Sequence, residues 1–180
     1  GVKGVFNLIA TLGGGYVDKL LWDNELITTY FQRNSQLLAT YKGNNSGTDL
    51  ESELRSHTDY DYSRTSTISD IAMPATPGIN KRYYYFNQSH SATYNQVFRV
   101  GKNGELGINA AYLNDRDERS NQSVTTTLLP DGSKNVVDES FNGILHRNIA
   151  NGNITYMQNT ERNYIKEQLK FDWLSTDGYS

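Results

Sequence analysis

The sequence predicts an all-β fold of antiparallel up-and-down strands, and three observations support this prediction. Apolar and polar side chains alternate with period two in several separate stretches, which is the pattern of strands with one apolar and one polar face. Short turns alternate with long polar connections along the chain. No stretch has the apolar spacing of a helix, although one short helical turn is expected at residues 49–55.

The alternation indicates about seven strands. In one of the clearest, Leu106, Ile108 and Ala110 alternate with Gly107 and Asn109. The seven strands are predicted at residues 6–17, 25–31, 36–42, 82–100, 105–114, 148–158 and 164–174.

The connections between these strands have two lengths, and each length is expected at its own end of the sheet. Short turns are predicted at residues 32–36, 101–104 and 160–163. Long polar loops are predicted at 43–82 and 114–142, the second with a turn at 129–132 and with room for an extra hairpin within 120–140. Both long loops follow odd-numbered strands. Short turns at one end and long loops at the other are typical of a transmembrane β-barrel.

The composition limits the possible classes. The chain has 180 residues, about the size of one domain, and residues 1–180 are treated as a single β-barrel segment. A formal net charge of −3 gives no basic surface for nucleic acid, and the lack of cysteine excludes a disulfide framework. No run of about 18 apolar residues is present, so only a closed barrel could cross a bilayer.

Two other all-β interpretations fit the same pattern. A soluble β-sandwich of the adhesin or lectin type also has strands with one apolar face, but would scatter its loop lengths over both ends. A small eight-stranded outer-membrane barrel needs about this length, but the odd strand count and the polar stretch at 175–180 argue against it.

Several segments together resemble the first part of the barrel of TonB-dependent outer-membrane receptors. The first strand carries KGVF (residues 3–6) and LGGGY (12–16). YFQRNSQ (30–36) and YKGNNSG (41–47) are similar to a strand, its turn and a third strand that ends in an Asn-rich loop. YLNDRDER (112–119), LLPDG (128–132), YMQNT (156–160) and YIK (164–166) extend the resemblance over nearly the whole chain. The variety with a carboxypeptidase-regulatory-like domain ahead of its plug is the most similar.

This resemblance implies a nutrient transporter of the bacterial outer membrane. Such receptors hold a plug domain inside a barrel of many more than seven strands, and TonB energises import. Because the plug and the TonB-binding box are not in this chain, we expect a segment of the barrel rather than the whole. The expected partners are the lipid bilayer, the plug domain, the remaining barrel strands, TonB indirectly and a surface lipoprotein. No cofactor and no nucleic acid are expected.

Aromatic side chains of the first long loop are the candidates for ligand binding. They would stack on the sugar rings or porphyrin of a ligand, or else belong to the aromatic girdle at the membrane interface. They are Tyr60, Tyr62, Tyr83, Tyr84 and Tyr85, followed by Phe86. On the polar strand faces, cationic side chains would face a barrel lumen; these are Arg33, Lys42, Arg99, Lys166 and Lys170.

One acidic group is a candidate calcium site. Asp115, Asp117 and Glu118 supply oxygen ligands in what is predicted to be an extracellular loop. Arg116 and Arg119 are interleaved with them, which favours salt-bridged packing instead.

No catalytic constellation supports an enzyme. His57, His90 and His146 lie far apart, no nucleophile motif is present, and Gly13-Gly14-Gly15 lies within a strand rather than in a phosphate-binding loop. The chain is therefore expected not to be an enzyme.

Overall fold

The computed structural model describes residues 4–51, 54 and 86–179, and most of these residues lie in long strands. Seven strands are present: β1 (Val5–Val17), β2 (Lys19–Gln32), β3 (Ser35–Asn44), β4 (Phe86–Val100), β5 (Gly104–Leu128), β6 (Lys134–Asn159) and β7 (Tyr164–Tyr179).

The strands form one sheet in sequence order, β1 to β7, and every neighbouring pair is antiparallel. The predicted all-β, up-and-down arrangement of seven strands is thereby confirmed. The sheet is open, with β1 and β7 as its two edges.

Three short turns connect strands at one end of the sheet, which we call the turn end. They lie at residues 33–34, 101–103 and 160–163, within the three predicted short connections. At the opposite end, Asp18 alone joins β1 to β2, with φ of 56° between the paired residues Val17 and Lys19. β2 therefore begins before the predicted residue 25. Its first residues, Leu20-Leu21-Trp22, have no period-two pattern that would have revealed this.

The structure corrects the long loop predicted at 114–142. β5 pairs with β4 only to Glu118, and β6 pairs with β7 only from Ile144, but β5 and β6 stay paired with each other to Leu128 and Lys134. We call this two-stranded extension the ribbon, and only residues 129–133 form a turn at its tip. The turn lies where it was predicted, with Gly132 at φ of 83° and its amide donating to the Leu129 carbonyl at 2.9 Å. Both faces of the ribbon are exposed. No face of it needs to be apolar, so alternation could not indicate the strands.

The sheet has two chemically distinct faces, because directly paired residues point to the same side. The face we call the apolar face carries Phe6, Leu8, Leu12, Leu26, Tyr41, Ala92, Tyr94, Leu106, Ile108, Ala110, Tyr112, Ile154, Leu169, Phe171 and Trp173. The face we call the polar face carries Asn7, Thr11, Glu25, Thr40, Lys42, Ser89, Thr93, Asn95, Asn109, Asp115, Arg147, Asn153, Gln168 and Lys170.

Each face has exceptions. Glu167 lies on the apolar face, and seven apolar residues lie on the polar face of the first three strands; these are Val5, Ile9, Val17, Leu21, Ile27, Phe31 and Leu38.

Apolar side chains on the apolar face are largely exposed to solvent, whereas the buried core lies on the polar face. Leu169 is 68% exposed. The buried core consists of Ala111, Leu113 and Ile149 together with Leu50 and Leu54, which follow β3. Leu50, Glu51 and Leu54 are helical, which confirms the expected helical turn for these residues. Over the described residues, no helix is both long enough and apolar enough to cross a membrane.

Candidate functional site

The first part of the connection from β3 to β4 lies on the polar face of the sheet. We call residues 45–51 with Leu54 the anchored segment. Its Leu50 and Leu54 pack against Ala111 and Leu113 of β5 and Ile149 of β6, and Leu174 of β7 packs at the border of this cluster. Burying a Leu side chain fully stabilises a fold by about 1.5–3 kcal/mol. The rest of the loop predicted at 43–82 lies outside the described residues, apart from Gly43 and Asn44, which belong to β3.

Two asparagines fix the start of the anchored segment. The Asn44 side-chain oxygen accepts hydrogen bonds from the amides of Ser46 (3.3 Å) and Thr48 (3.2 Å). The Asn45 side chain accepts from the Trp22 amide at 2.7 Å and donates to the Leu20 carbonyl at 2.9 Å. These bonds tie the segment to the ends of both β3 and β2.

Gly47 allows the next bend. Its φ of 85° lies in the left-handed region that favours glycine, and its amide donates to the Asn87 side-chain oxygen at 2.9 Å. Asn87 in turn donates to the Asn44 oxygen at 3.0 Å and to the Ser89 hydroxyl at 2.7 Å. Asn44, Asn87 and Ser89 are all buried, and these bonds satisfy polar groups that would otherwise be costly to desolvate.

A row of polar residues, three of them buried and Arg147 half-buried, continues across the sheet. Asn44, Ser89, Asp115 and Arg147 are directly paired neighbours on β3, β4, β5 and β6, and we call them the polar row. The Ser89 hydroxyl donates to Asp115 Oδ1 at 2.5 Å, and Arg147 Nη2 lies 2.5 Å from Asp115 Oδ2.

Arg147 connects the polar row back to the anchored segment. Its Nη1 donates to Glu51 Oε2 at 2.7 Å, so one guanidinium bridges the carboxylates of Asp115 and Glu51. Both carboxylates are buried. A buried carboxylate is stable as an ion only when it is paired, so each of the three side chains depends on the others.

The three residues of the calcium prediction do not share a side of the sheet. Asp115 and Asp117 lie buried on the polar face, where Arg147 pairs with Asp115 and Arg119 Nη2 lies 2.5 Å from Asp117 Oδ2. Glu118 faces the other side, where Arg116 Nη2 lies 3.5 Å from its Oε2. This is the salt-bridged arrangement that the sequence left open as the alternative, although in a strand rather than in a loop. Among residues 4–51, 54 and 86–179, no group of three or more His, Asp or Glu side chains is placed to hold a metal ion.

An aromatic cluster occupies the apolar face close to the same end of β3. Tyr41 Oη lies 2.8 Å from His90 Nδ1, and the rings of Trp22 and His90 have centroids 5.4 Å apart. A Cβ atom at Gly43 would lie 2.9 Å from Tyr41 Oη and 3.0 Å from the Trp22 ring. Glycine at this position therefore allows the three rings to close over β3.

The predicted ligand-binding residues Tyr60, Tyr62, Tyr83, Tyr84 and Tyr85, together with His57, lie outside the described residues. Of the predicted lumen cations, four lie on the polar face: Lys42, Arg99, Lys166 and Lys170. Lys42 Nζ lies 3.0 Å from Glu25 Oε1 of the neighbouring strand. Arg33 lies in the β2–β3 turn.

Sequence reasoning did not identify Glu51, Asn87, Ser89 or Arg147 as site residues. Glu51 and Arg147 are 96 residues apart, and neither stands in a motif. The one available signal was YKGNNSG at 41–47, in which Asn and Gly residues suit a tight turn.

Comparison with known proteins gave no match to a family model, a curated protein or a solved structure.

Proposed function

We propose that this chain forms part of the wall of a β-barrel in the bacterial outer membrane, and that the barrel imports a large nutrient with energy supplied through TonB. The observation that carries the membrane assignment is the exposed apolar face, which extends across all seven antiparallel strands.

Lipid is the solvent that best explains this face. Monomeric soluble proteins rarely expose a contiguous apolar patch of more than a few hundred Å². A strand needs about 9–11 residues to cross a bilayer, and the shortest strand here has 10. The aromatic cluster of Trp22, Tyr41 and His90 suits the interfacial belt, where amphipathic rings are favoured.

Three further features suit the expected partners. The open edges at β1 and β7 leave backbone groups that further barrel strands would pair. The apolar residues on the polar face of β1–β3, such as Ile9 and Phe31, suit contact with a plug domain inside the barrel. The ribbon of β5 and β6 extends roughly 30 Å past its neighbours, far enough to reach a surface lipoprotein.

The transport role and the coupling to TonB rest on the resemblance of the segments KGVF, LGGGY, YFQRNSQ and YKGNNSG to TonB-dependent receptors.

The membrane assignment is tested by site-directed spin labelling along β7 in the intact protein in its outer membrane. Labels at Ile165, Leu169, Phe171 and Trp173 are expected to contact lipid-dissolved oxygen, and labels at Lys166, Gln168, Lys170 and Asp172 to contact a water-soluble nickel relaxant. A period-two alternation between the two relaxants supports the proposal. Labels on the apolar face that are shielded from both relaxants would contradict it, because they would indicate the packed interior of a sandwich.

The transport role is tested by uptake. Cells that carry the intact protein should accumulate a labelled large solute, such as an oligosaccharide or a metalloporphyrin, only when TonB is present. Passage of small solutes alone, independent of TonB, would instead favour a small passive barrel.

A further inference from the structure

We propose that the anchored segment narrows the passage along the polar face, and that a large solute can pass only after this segment leaves the face. The inference rests on the proposed function, because it takes the polar face as the lining of a barrel.

The direction of the anchored segment carries the inference. β3 ends at Asn44, in the polar row. The apolar contacts of Leu50 and Leu54 lie in the next rows toward the turn end, since Leu113 and Ala111 precede Asp115 on β5 by two and four positions. The chain therefore leaves β3 and turns back over the polar face. A loop that projects away from the barrel would make none of these contacts.

The anchored segment also crosses the sheet. It starts on β3 and reaches Arg147 of β6 through Glu51, so it spans the width of β4 and β5. At about 4.8 Å between neighbouring strands, this covers about 14 Å of the polar face. In a barrel, a segment lying across that width occupies space that a solute would need.

Its attachment allows release. Beyond the turn formed by Asn44, Asn45 and Gly47, the attachments of the segment include a hydrogen bond from Asn87 to the Thr48 carbonyl, the pair of Glu51 with Arg147, and the packing of two leucines. Charged side chains that leave a buried pair regain hydration, which offsets part of the lost attraction. A segment held in this way can separate from the sheet while the strands stay paired.

Three consecutive positions on β5 provide the test. Asn109 is exposed on the polar face, Ala110 is exposed on the apolar face, and Ala111 is buried beneath the anchored segment. The 180 residues contain no cysteine, so a cysteine introduced at 109, 110 or 111 is the only one in this part of the protein. The rate at which each variant reacts with a membrane-impermeant maleimide is measured in the intact protein in its outer membrane, after any other cysteine has been replaced. We expect Asn109→Cys to react fast, Ala110→Cys to be protected by lipid, and Ala111→Cys to react at least about tenfold more slowly than Asn109→Cys.

Two release variants complete the test. Glu51→Lys places a cation beside Arg147, and Leu50→Asp places a charge in the apolar cluster. Each should speed the labelling of Ala111→Cys about tenfold and leave Asn109→Cys unchanged. Each should also raise the TonB-dependent uptake of the labelled large solute, since passage would no longer wait for the segment to leave the polar face. Glu139→Lys, an exposed acid on the ribbon, is the matched control and should change neither readout.

The outcomes separate the two proposals. Fast labelling of Ala110→Cys would overturn the membrane assignment. Equal labelling rates of Ala111→Cys and Asn109→Cys, without a release substitution, would contradict the claim that the anchored segment covers Ala111. Protection of Ala111→Cys that persists in both release variants, or faster labelling with unchanged TonB-dependent uptake, would overturn the proposed narrowing. Assembly of each variant is checked by heat-modifiable migration, so that a failure to fold is seen directly.

Discussion

The same kind of side chain is buried on one face of the sheet and exposed on the other. Leu113, on the polar face of β5, is 0% exposed, whereas Leu169, on the apolar face of β7, is 68% exposed. Leu113 is covered by a segment of the chain itself, and Leu169 is covered by nothing among the residues that the structure describes. Chemical character alone therefore does not decide burial in this protein; the covering element does.

The two faces also differ in how specific their contacts are. The anchored segment covers the polar face through a few particular partners, above all Arg147 between Asp115 and Glu51. The apolar face is largely apolar over seven strands and needs only an apolar environment. Single substitutions that change either the size or the charge of a side chain should therefore destabilise the polar face, whereas the apolar face should be sensitive mainly to an added charge.

The largest effect is expected for Arg147→Met. The change leaves the carboxylates of Asp115 and Glu51 without their shared guanidinium, and breaking a buried ion pair costs about 3–5 kcal/mol. The measurement is the free energy of unfolding of the intact protein by urea in lipid vesicles. Arg116→Met is the control, because its pair with Glu118 is exposed and should contribute about 1 kcal/mol or less. Equal losses in the two variants would contradict the special role of Arg147.

Leu113→Ala should give the next largest loss. It removes a fully buried side chain under the anchored segment, for which about 2–5 kcal/mol is expected. The same substitution at Leu128, 71% exposed on the ribbon of the same strand, should cost about 0.5 kcal/mol or less. The same urea titration reads both variants. A loss of less than about 1 kcal/mol in the free energy of unfolding for Leu113→Ala would mean that the anchored segment packs only loosely on Leu113.

A charge on the apolar face tests the other half of the comparison. Leu169→Arg should cost about 2–4 kcal/mol if the side chain faces the middle of a bilayer. Gln168→Arg, one residue away on the polar face, should be nearly neutral. Unfolding in vesicles measures both. Equal changes in the free energy of unfolding for arginine at 168 and at 169 would contradict the claim that the two faces lie in different environments.

The sequence predicted the sheet better than it predicted the site. All seven strands and the three short turns follow from alternation and from turn residues, because both signals are local. The strand ends were less predictable. Residues 120–128 and 134–142 continue as strands where alternation is weak, since both faces of the ribbon are exposed. Residues 114–118 and 143–147 also continue as strands, but there the polar face carries buried charged residues such as Asp115 and Asp117 in place of apolar ones.

The site could not be predicted, because it is made of distant contacts. Arg147 was placed just before a predicted strand, and Glu51 in a predicted loop, and no local pattern indicates that they meet. Asp115 was singled out for its charge, but its arginine partner comes from another strand rather than from its own.

The smallest expected effect concerns the ribbon tip, far from both faces of the main sheet. The Ser133 hydroxyl and amide both donate to Asp131 Oδ1, at 2.6 and 3.0 Å, and these bonds lower the pKa of Asp131 below its ordinary value of 3.8. A lowered pKa means that the carboxylate stabilises the turn above the ordinary pKa, and that this contribution is lost as the pH falls through the lowered value. Amide exchange at Ser133, corrected for intrinsic rates, should therefore accelerate slightly between about pH 5 and about pH 2. Asp131→Asn, which keeps the size but removes the charge, should abolish this pH dependence. An unchanged pH profile in that variant would assign the effect to another group, while the comparison of the two faces would be unaffected.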